Sequence, residues 1–360
     1  MNADPVLTMS QVAINANAAF EGGGVFVGAL SQVEAVGVEF KGNTATRGAG
    51  LFNANDEVEI ADTVLENNVA SNDGGGIFNV GGTVSVTDST LSNNQAISVE
   101  GGGRGGGIFN AEQAELVLAN VSMLENTAAD GGGLINAGRL NGHALNLRQN
   151  TALQSGGAIV NNAVLSLSGS TLAQNKADLG SGVFNRGEAF LLNSTLAQNA
   201  ATTAGGAFFN EGSANLTLSF TTLDGSAAEF GGGIFNNGGT VSIKNSLLSN
   251  SRGGNCAFEI SSLGHNLSSD ASCIGSLVEL TDLNNVDPLL DPEGLKANGG
   301  PTLTVALLAD SPAIDAVPES ACTDGEGNPV TTDQRGIQRP SGSGCDIGAY
   351  EAQGGGGNEG

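Results

Sequence analysis

The chain contains no Trp and a single Tyr, and only 12 basic residues stand against 37 acidic ones. The shortage of bases leaves a formal net charge of −25. That balance argues against a nucleic-acid partner and against anionic membrane surfaces. The missing indoles and phenols weigh against a long glycan groove, which needs exposed aromatic platforms. No apolar run approaches the ~18 residues of a membrane span. Residues 1–20 lack the basic start and apolar core of a secretion signal, so a signal and further repeats are expected upstream in the natural protein. Cys is absent from the first 250 residues. What the chain has in excess is Gly, 57 of 360, yet 39% of residues are hydrophobic, which excludes a disordered Gly-rich polymer.

The Gly residues are periodic. RGAGLFN ends at Asn53, and GGGIFN ends at Asn79 and again at Asn110. GGGLIN, GGAIVN, GSGVFN, GGAFFN and GGGIFN then end at Asn136, Asn161, Asn185, Asn210 and Asn236. The steps between these Asn residues are 26, 31, 26, 25, 24, 25 and 26. A second register reads apolar-x-apolar-x-x-Ser/Thr-x-apolar-x-x-Asn-x-Ala, as in Val84, Val86, Ser89, Leu91, Asn94 and Ala96. Its Asn residues are Asn17, Asn43, Asn68, Asn94, Asn126, Asn150, Asn175 and Asn199, followed by Ser226 and then Asn250 or its neighbour.

Period-2 alternation within each unit is a strand signal, and no run carries helical spacing. The fold class is therefore all-β: a right-handed parallel β-helix of about ten coils of ~25 residues, each split into three short strands. At an inter-strand spacing of ~4.8 Å, ten coils make a rod of ~45–50 Å. The Gly triplets suit tight corners, and the two Asn columns suit stacked amides buried between coils. The pattern leaves open whether Ile or Phe of GGGIFN faces inward.

The repeat domain covers residues 1–252, a loop-rich C-terminal cap covers 253–353, and 354–360 is a flexible Gly-rich tail. Cys256, Cys273, Cys322 and Cys345 all lie in the cap. An even count in a loop-rich segment reads as two disulfides and an oxidising compartment; neighbours pair as Cys256–Cys273 and Cys322–Cys345, one of three connectivities. Pro also gathers there, at Pro288, Pro292, Pro301, Pro312 and Pro318.

Three stretches of the cap resemble the end domain known as choice-of-anchor Q: VDPLLDPEGLKANGGPTLTVALLADSPAIDAV (286–317), TDQRGIQRP (332–340) and CDIGAYE (345–351). NCAFEISSLGHNLSSDASC (255–273) resembles the segment that precedes it in that family. The coils resemble right-handed β-helix repeat proteins, and their GG-x-Ile-Phe and Phe-x-x-Asn elements are similar to repeats of the chlamydial polymorphic outer-membrane proteins. These resemblances imply a secreted protein of the bacterial cell surface. They imply no activity.

Candidate chemistry is sparse. With the register above, outward positions of the first strand form one column through Thr8, Glu34, Glu59, Ser85, Val117, Asn141, Ser166, Phe190, Thr217 and Ser242. A parallel column passes through His143, Ser168, Leu192, Ser219 and Lys244. Short hydroxyls dominate, no acid pair meets a base, and no catalytic residue or cofactor is assigned. Asp56, Glu57 and Glu59 form an acidic cluster with Asp62, and Asp324, Glu326 and Asn328 alternate along a loop. Either set is a candidate for Ca²⁺, against the plainer reading of a solvated acidic edge. The long step before Asn110 holds an insertion at 97–107, a candidate binding loop.

The expected function is a non-catalytic extracellular structural or adhesive protein, a filament or surface-layer subunit in one version. Its partners are further copies joined end to end, or cell-surface and glycan ligands. The alternative is a carbohydrate-active β-helix enzyme, a polysaccharide lyase or hydrolase. A minor alternative is ice binding, for which Glu34, Glu59, Val117, Phe190 and Leu192 interrupt the hydroxyl array.

Overall fold

The computed structural model describes residues 6–28, 32–98 and 102–353. Within them the chain winds as a parallel β-solenoid of about ten coils. Seven successive coils contribute one strand to each of four sheets, not to three as the sequence predicts. Face A is an 11-stranded sheet from Val6–Ser10 through Thr240–Lys244 to Ser261–Ser262. Face B has 12 strands, from Ala13–Asn15 to Leu283–Asn284. Face C is a short seven-stranded sheet from Thr44–Arg47 to Ala200–Ala204. Face D has ten strands, from Val25–Val27 to Cys256–Ala257. The extra face arises at the Asn-x-Ala element. Asn68 ends one corner, and Val69 and Ala70 then pair with Gln95 and Ala96 as a separate strand.

Residues that face inward on face A, such as Val58, Val84, Leu116 and Leu165, are fully buried in one continuous core. Burying each such side chain contributes roughly 1.5–3 kcal/mol. Face D resolves the open question about GGGIFN. Ile77 and Ile108 point into that core, whereas Phe78 and Phe109 belong to a second apolar column on the outer side of the sheet. Its rings stack nearly flat. Phe26–Phe52, Phe52–Phe78 and Phe78–Phe109 lie 5.2, 5.4 and 4.9 Å apart with planes 7°, 3° and 3° from parallel.

The Gly triplet in front of Ile77 has two distinct duties. Gly74 takes φ +65°, in the left-handed region. A Cβ on Gly76 would come within 2.6 Å of the Gly107 carbonyl oxygen of the next coil. The first requirement is conformational, and the second is the closeness of stacking.

Both Asn columns are buried amide ladders. Asn68 Nδ2 donates to Asn94 Oδ1 and to the Phe40 carbonyl, both at 2.9 Å. Its Oδ1 accepts from the backbone N–H and the side chain of Asn43, both at 3.0 Å. Every polar atom of that buried side chain is satisfied, as burial demands. The second ladder runs Asn53–Asn79–Asn110–Asn136–Asn161–Asn185–Asn210–Asn236, each Nδ2 donating to the next Oδ1 at 2.8 to 3.1 Å. At the end of the first ladder Asn199 N–H donates to Ser226, and Ser251, not Asn250, takes the next register position. Asn255 then supplies the amide, accepting from Ser251 N–H and donating to the Leu248 carbonyl.

Residues 253–353, expected as an end cap, do two things. Residues 256–284 continue the rungs of faces A, B and D past 252. Residues 286–353 then double back along the outside of the solenoid, as a strap over face B and the corner between faces A and B. Two antiparallel pairings brace it, Leu290–Lys296 with Thr304–Leu307 and Val317–Pro318 with Gly344–Cys345. The Cys256–Cys273 and Cys322–Cys345 disulfides are both formed. The strap lies there because the outward side chains of these coils suit it. Thr171, Thr195, Phe220 and Leu247 are fully buried beneath it. The only helical turns among the described residues are Ala271–Cys273 and Glu319–Ala321, both 3-10.

Candidate binding cleft beneath the strap

The outward columns of face A have the predicted register. Glu34 pairs with Glu59, Glu59 with Ser85, Ser85 with Val117, Asn141 with Ser166, Ser166 with Phe190 and Phe190 with Thr217. The sequence did not foretell that the strap overhangs this face. Lys244 Nζ donates to Thr323 Oγ1 at 2.5 Å and to the Asp324 carbonyl at 3.1 Å, and Gly325 N–H donates to Ser219 Oγ at 2.9 Å. These bonds hold the 324–326 turn above the sheet. Between turn and sheet lies a cleft of about 300 Å³, lined by Ser166, Ser168, Phe190, Leu192, Thr217 and Glu326 among others. Its floor is a half-exposed ring among hydroxyls, and its lip carries a carboxylate.

Asp324, Glu326 and Asn328, one of the two candidate Ca²⁺ sets, form this lip. Asp324 Oδ1 accepts from the backbone N–H groups of Glu326 and Asn328, each at 2.9 Å, and Oδ2 accepts from Asn328 Nδ2 at 3.0 Å. Burial pushes the Asp324 carboxyl up, but these hydrogen bonds from Asn328 and the turn outweigh it and hold it below its ordinary value. The carboxylate is thus engaged in shaping the turn. The other set is spread along one strand. Glu57 accepts from Gln32 at 2.8 Å, and Glu59 stands beside Glu34 on the adjacent coil. Asp56 opens the strand, and Asp62 sits at the corner with φ +50°. Among the described residues, no group of three His, Cys, Asp or Glu side chains converges so as to hold a metal ion.

His143 is exposed on face A, its Nδ1 3.0 Å from Ser168 Oγ. His265 joins the last rung to the strap, its Nδ1 lying 3.1 Å from the Ala316 carbonyl. Within the insertion at 97–107, Arg104 bridges Asp73 and Asp130 of the adjacent coils, and residues 99–101 lie outside the described residues.

What sequence reasoning missed is the polar clasp of the strap. Gln334 is buried against face B. Its Oε1 accepts from Thr195 Oγ1 at 2.6 Å, and its Nε2 donates to Thr302 Oγ1 and the Leu303 carbonyl at 2.9 and 3.0 Å. Beside it, Arg339 is fully buried with its guanidinium 4.3 Å from the Phe220 ring centroid, and it pairs with Glu351. Arg335 pairs with Asp333 and lies over Tyr350. Burial raises the Asp346 carboxyl to about 6, against the pull of N–H groups from Asp315 and Ala352. The motifs at 332–340 and 345–351 meet here, so their charged residues are the internal fastening of the strap. The available signal was two Arg residues so close together where only four bases occur after residue 250.

Comparison with known protein families, curated proteins and solved structures returns no match. The likeness to choice-of-anchor domains and to particular repeat families therefore stands on the motif residues alone. No helix of the described residues is long and apolar enough to cross a membrane.

Proposed function

We propose that this protein is a non-catalytic extracellular module, a stiff rod of the bacterial surface that displays an adhesive face. The observation that carries the reading is the cleft over face A, where a turn fastened by Lys244 and Ser219 overhangs hydroxyls and the Phe190 ring. Hydroxyls beside an apolar ring suit a polyhydroxylated ligand, with the ring under a sugar's C–H face and the hydroxyls on its polar edge. Two disulfides support an oxidising compartment. The test is an oligosaccharide-binding survey of the intact chain and of Phe190→Ala. A bound neutral glycan, weakened by the substitution and recovered uncleaved, supports the reading. Failure to bind any glycan sinks it.

One observation favours the carbohydrate-active alternative. Glu34 and Glu59 stand side by side on adjacent coils at a second small cleft with Glu57. Strand spacing puts their backbones ~4.8 Å apart, within reach of the carboxylate separation used by retaining glycosidases. Product release from a polysaccharide, abolished by Glu59→Gln, would establish that reading in place of the first.

End-to-end assembly belongs to the same proposal. Val6, Leu7 and Val12 of the first described coil are exposed, and Leu7 lies in the inward register. Since the strap lies along the side, the rung around Leu283–Asn284 is what a following copy would meet. Electron microscopy of wild type and Leu7→Asp tests it: fibres that persist in the variant exclude this contact.

A further inference from the structure

The last rung of the solenoid meets side chains where earlier rungs meet backbone. Ile234 N–H donates to the Asn255 carbonyl at 2.9 Å, whereas Cys256, its register partner, donates to Ser272 Oγ at 3.1 Å. At the next corner Asn245 N–H donates to the Gly264 carbonyl, and the following residue of that column, His265, donates to Thr281 Oγ1 at 3.0 Å. Gly225 N–H donates to the Ser249 carbonyl, and Asn250 N–H to Ser269 Oγ, each at 3.0 Å. Ile260 N–H donates to Ser276 Oγ at 3.1 Å. The pairs Cys256–Ser272, Ile260–Ser276, His265–Thr281 and Asn266–Asp282 are all 16 residues apart. The segment therefore runs in step with the rung and offers side-chain oxygens in place of a further coil's carbonyls.

The amide relays stop there too. Within a ladder each Asn accepts from the coil before and donates to the coil after, as Asn68 does between Asn43 and Asn94. Asn255 N–H donates to Asp270 Oδ2 at 3.1 Å, and Asn266 N–H to Asp282 Oδ1 at 2.9 Å. A carboxylate accepts but has no side-chain hydrogen to pass on. Leu277 and Cys273 are buried in the main core, so the same segment plugs its end, and the Cys256–Cys273 disulfide ties it to the rung. Face C has already ended at Ala200–Ala204, and face B closes on the two-residue strand Leu283–Asn284. Short edge strands and covered edges are the means by which sheets avoid pairing with another chain.

We infer that residues 269–284 are a built stop that closes the C-terminal end of the solenoid to strand pairing. Another chain cannot extend the sheets from this rung, and a copy that docks at this end is held by side chains. The inference goes beyond the end-to-end reading, because it holds for a single rod as well as for a fibre.

The test uses the full chain. In the wild type the Cys256, Ile260 and His265 amides should be protected from hydrogen exchange, and exchange at the rate of free peptide amides would overturn the assignment. Ser276→Ala with Thr281→Val removes two acceptors and keeps Leu277 and the disulfide. The Ile260 and His265 amides should then exchange about tenfold faster or more. Sedimentation velocity should show association beginning at a concentration about tenfold lower than for the wild type, because the edge is open. Ser276→Thr with Thr281→Ser keeps both hydroxyls and should match the wild type in both measurements. If the first pair fails to fold, Ser276→Ala alone decides from the Ile260 amide and the association threshold. Faster exchange with an unchanged threshold, or association of the hydroxyl-keeping pair, would show that the segment is no stop. Loss of fibres in Leu7→Asp concerns the first coil and leaves these amides protected, so failure of the end-to-end reading is distinguishable from failure of the stop.

Discussion

Arg339 and Glu351 form an ion pair at 2.9 Å with both side chains fully buried. Arg339 also donates to the Asp346 and Gly348 carbonyls, and Glu351 accepts from the Ser341 and Asp346 N–H groups. The pair closes the two halves of the strap on each other and lays them on Phe220. Removing one partner strands a buried charge, which costs about 3–5 kcal/mol. Arg339→Ala should therefore release the strap. Hydrogen exchange should quicken across 286–353 and leave the coils before Gly169 protected. Uniform loss of protection would show that strap and coils unfold as one unit.

The ladder amides should be far more sensitive than the outer face. Asn150 donates from its backbone N–H and its side chain to Asn175 Oδ1 and from its side chain to the Met123 carbonyl. Asn150→Leu keeps the backbone donor but removes the amide from the Met123 carbonyl and strands the Asn126 N–H and Nδ2 that donate to Asn150 Oδ1, at a cost of roughly 1–3 kcal/mol. Ser166→Ala, outward and exposed, should change stability by less than about 0.5 kcal/mol. Denaturant melts of the two variants check this, and equal effects would refute the burial assigned to them.

Reduction should loosen only the C-terminal part. The disulfides close sequence separations of 17 and 23 residues, worth about 3 kcal/mol each in the chain-entropy model. Cys322→Ser with Cys345→Ser should lower the protection of the strap, whereas Cys256→Ser with Cys273→Ser should fray the last rungs. Non-reducing peptide mapping of the wild type should return these two linkages and no free thiol.

The strap also carries a pH response. Burial raises Asp346 from its ordinary 3.8 to about 6. The folded state then binds this proton more tightly than the unfolded chain, so the group's stabilising contribution is full below about pH 4 and is lost as pH rises through about 6. Strap protection should grow on acidification from pH 7 to pH 5, and Asp346→Asn should flatten that change. A carboxyl-carbon NMR titration with its midpoint near 4 would contradict the assignment.

The repeat positions show why so much of the fold was legible. Asn68, Asn94 and their equivalents recur because each coil presents the next with the same chemistry, so one spacing in sequence becomes one column in space. Face A could be registered from its alternation alone, down to Glu34 beside Glu59 and Ser166 beside Phe190. The fourth face was not legible, because its strands vary from the two residues Gln95–Ala96 to the five of Val69–Asp73, with a register shift between Ala70 and Asp73, so no fixed alternation repeats there.

The linear chain by itself determined the solenoid, its stacking register and its Asn ladders. These are local, repeated interactions between residues about 25 positions apart. Only the tertiary structure decided where residues 286–353 go. Gln334 reaches Thr195 across 139 positions and Gly325 reaches Ser219 across 106, with no periodicity to announce either contact. The strap cleft depends on that return. Face D shows a smaller version of the same limit. Ile135 and Val160 are visible as departures from Phe, but which way the ring positions point is settled only when Ile108 fills the core and leaves Phe109 outside.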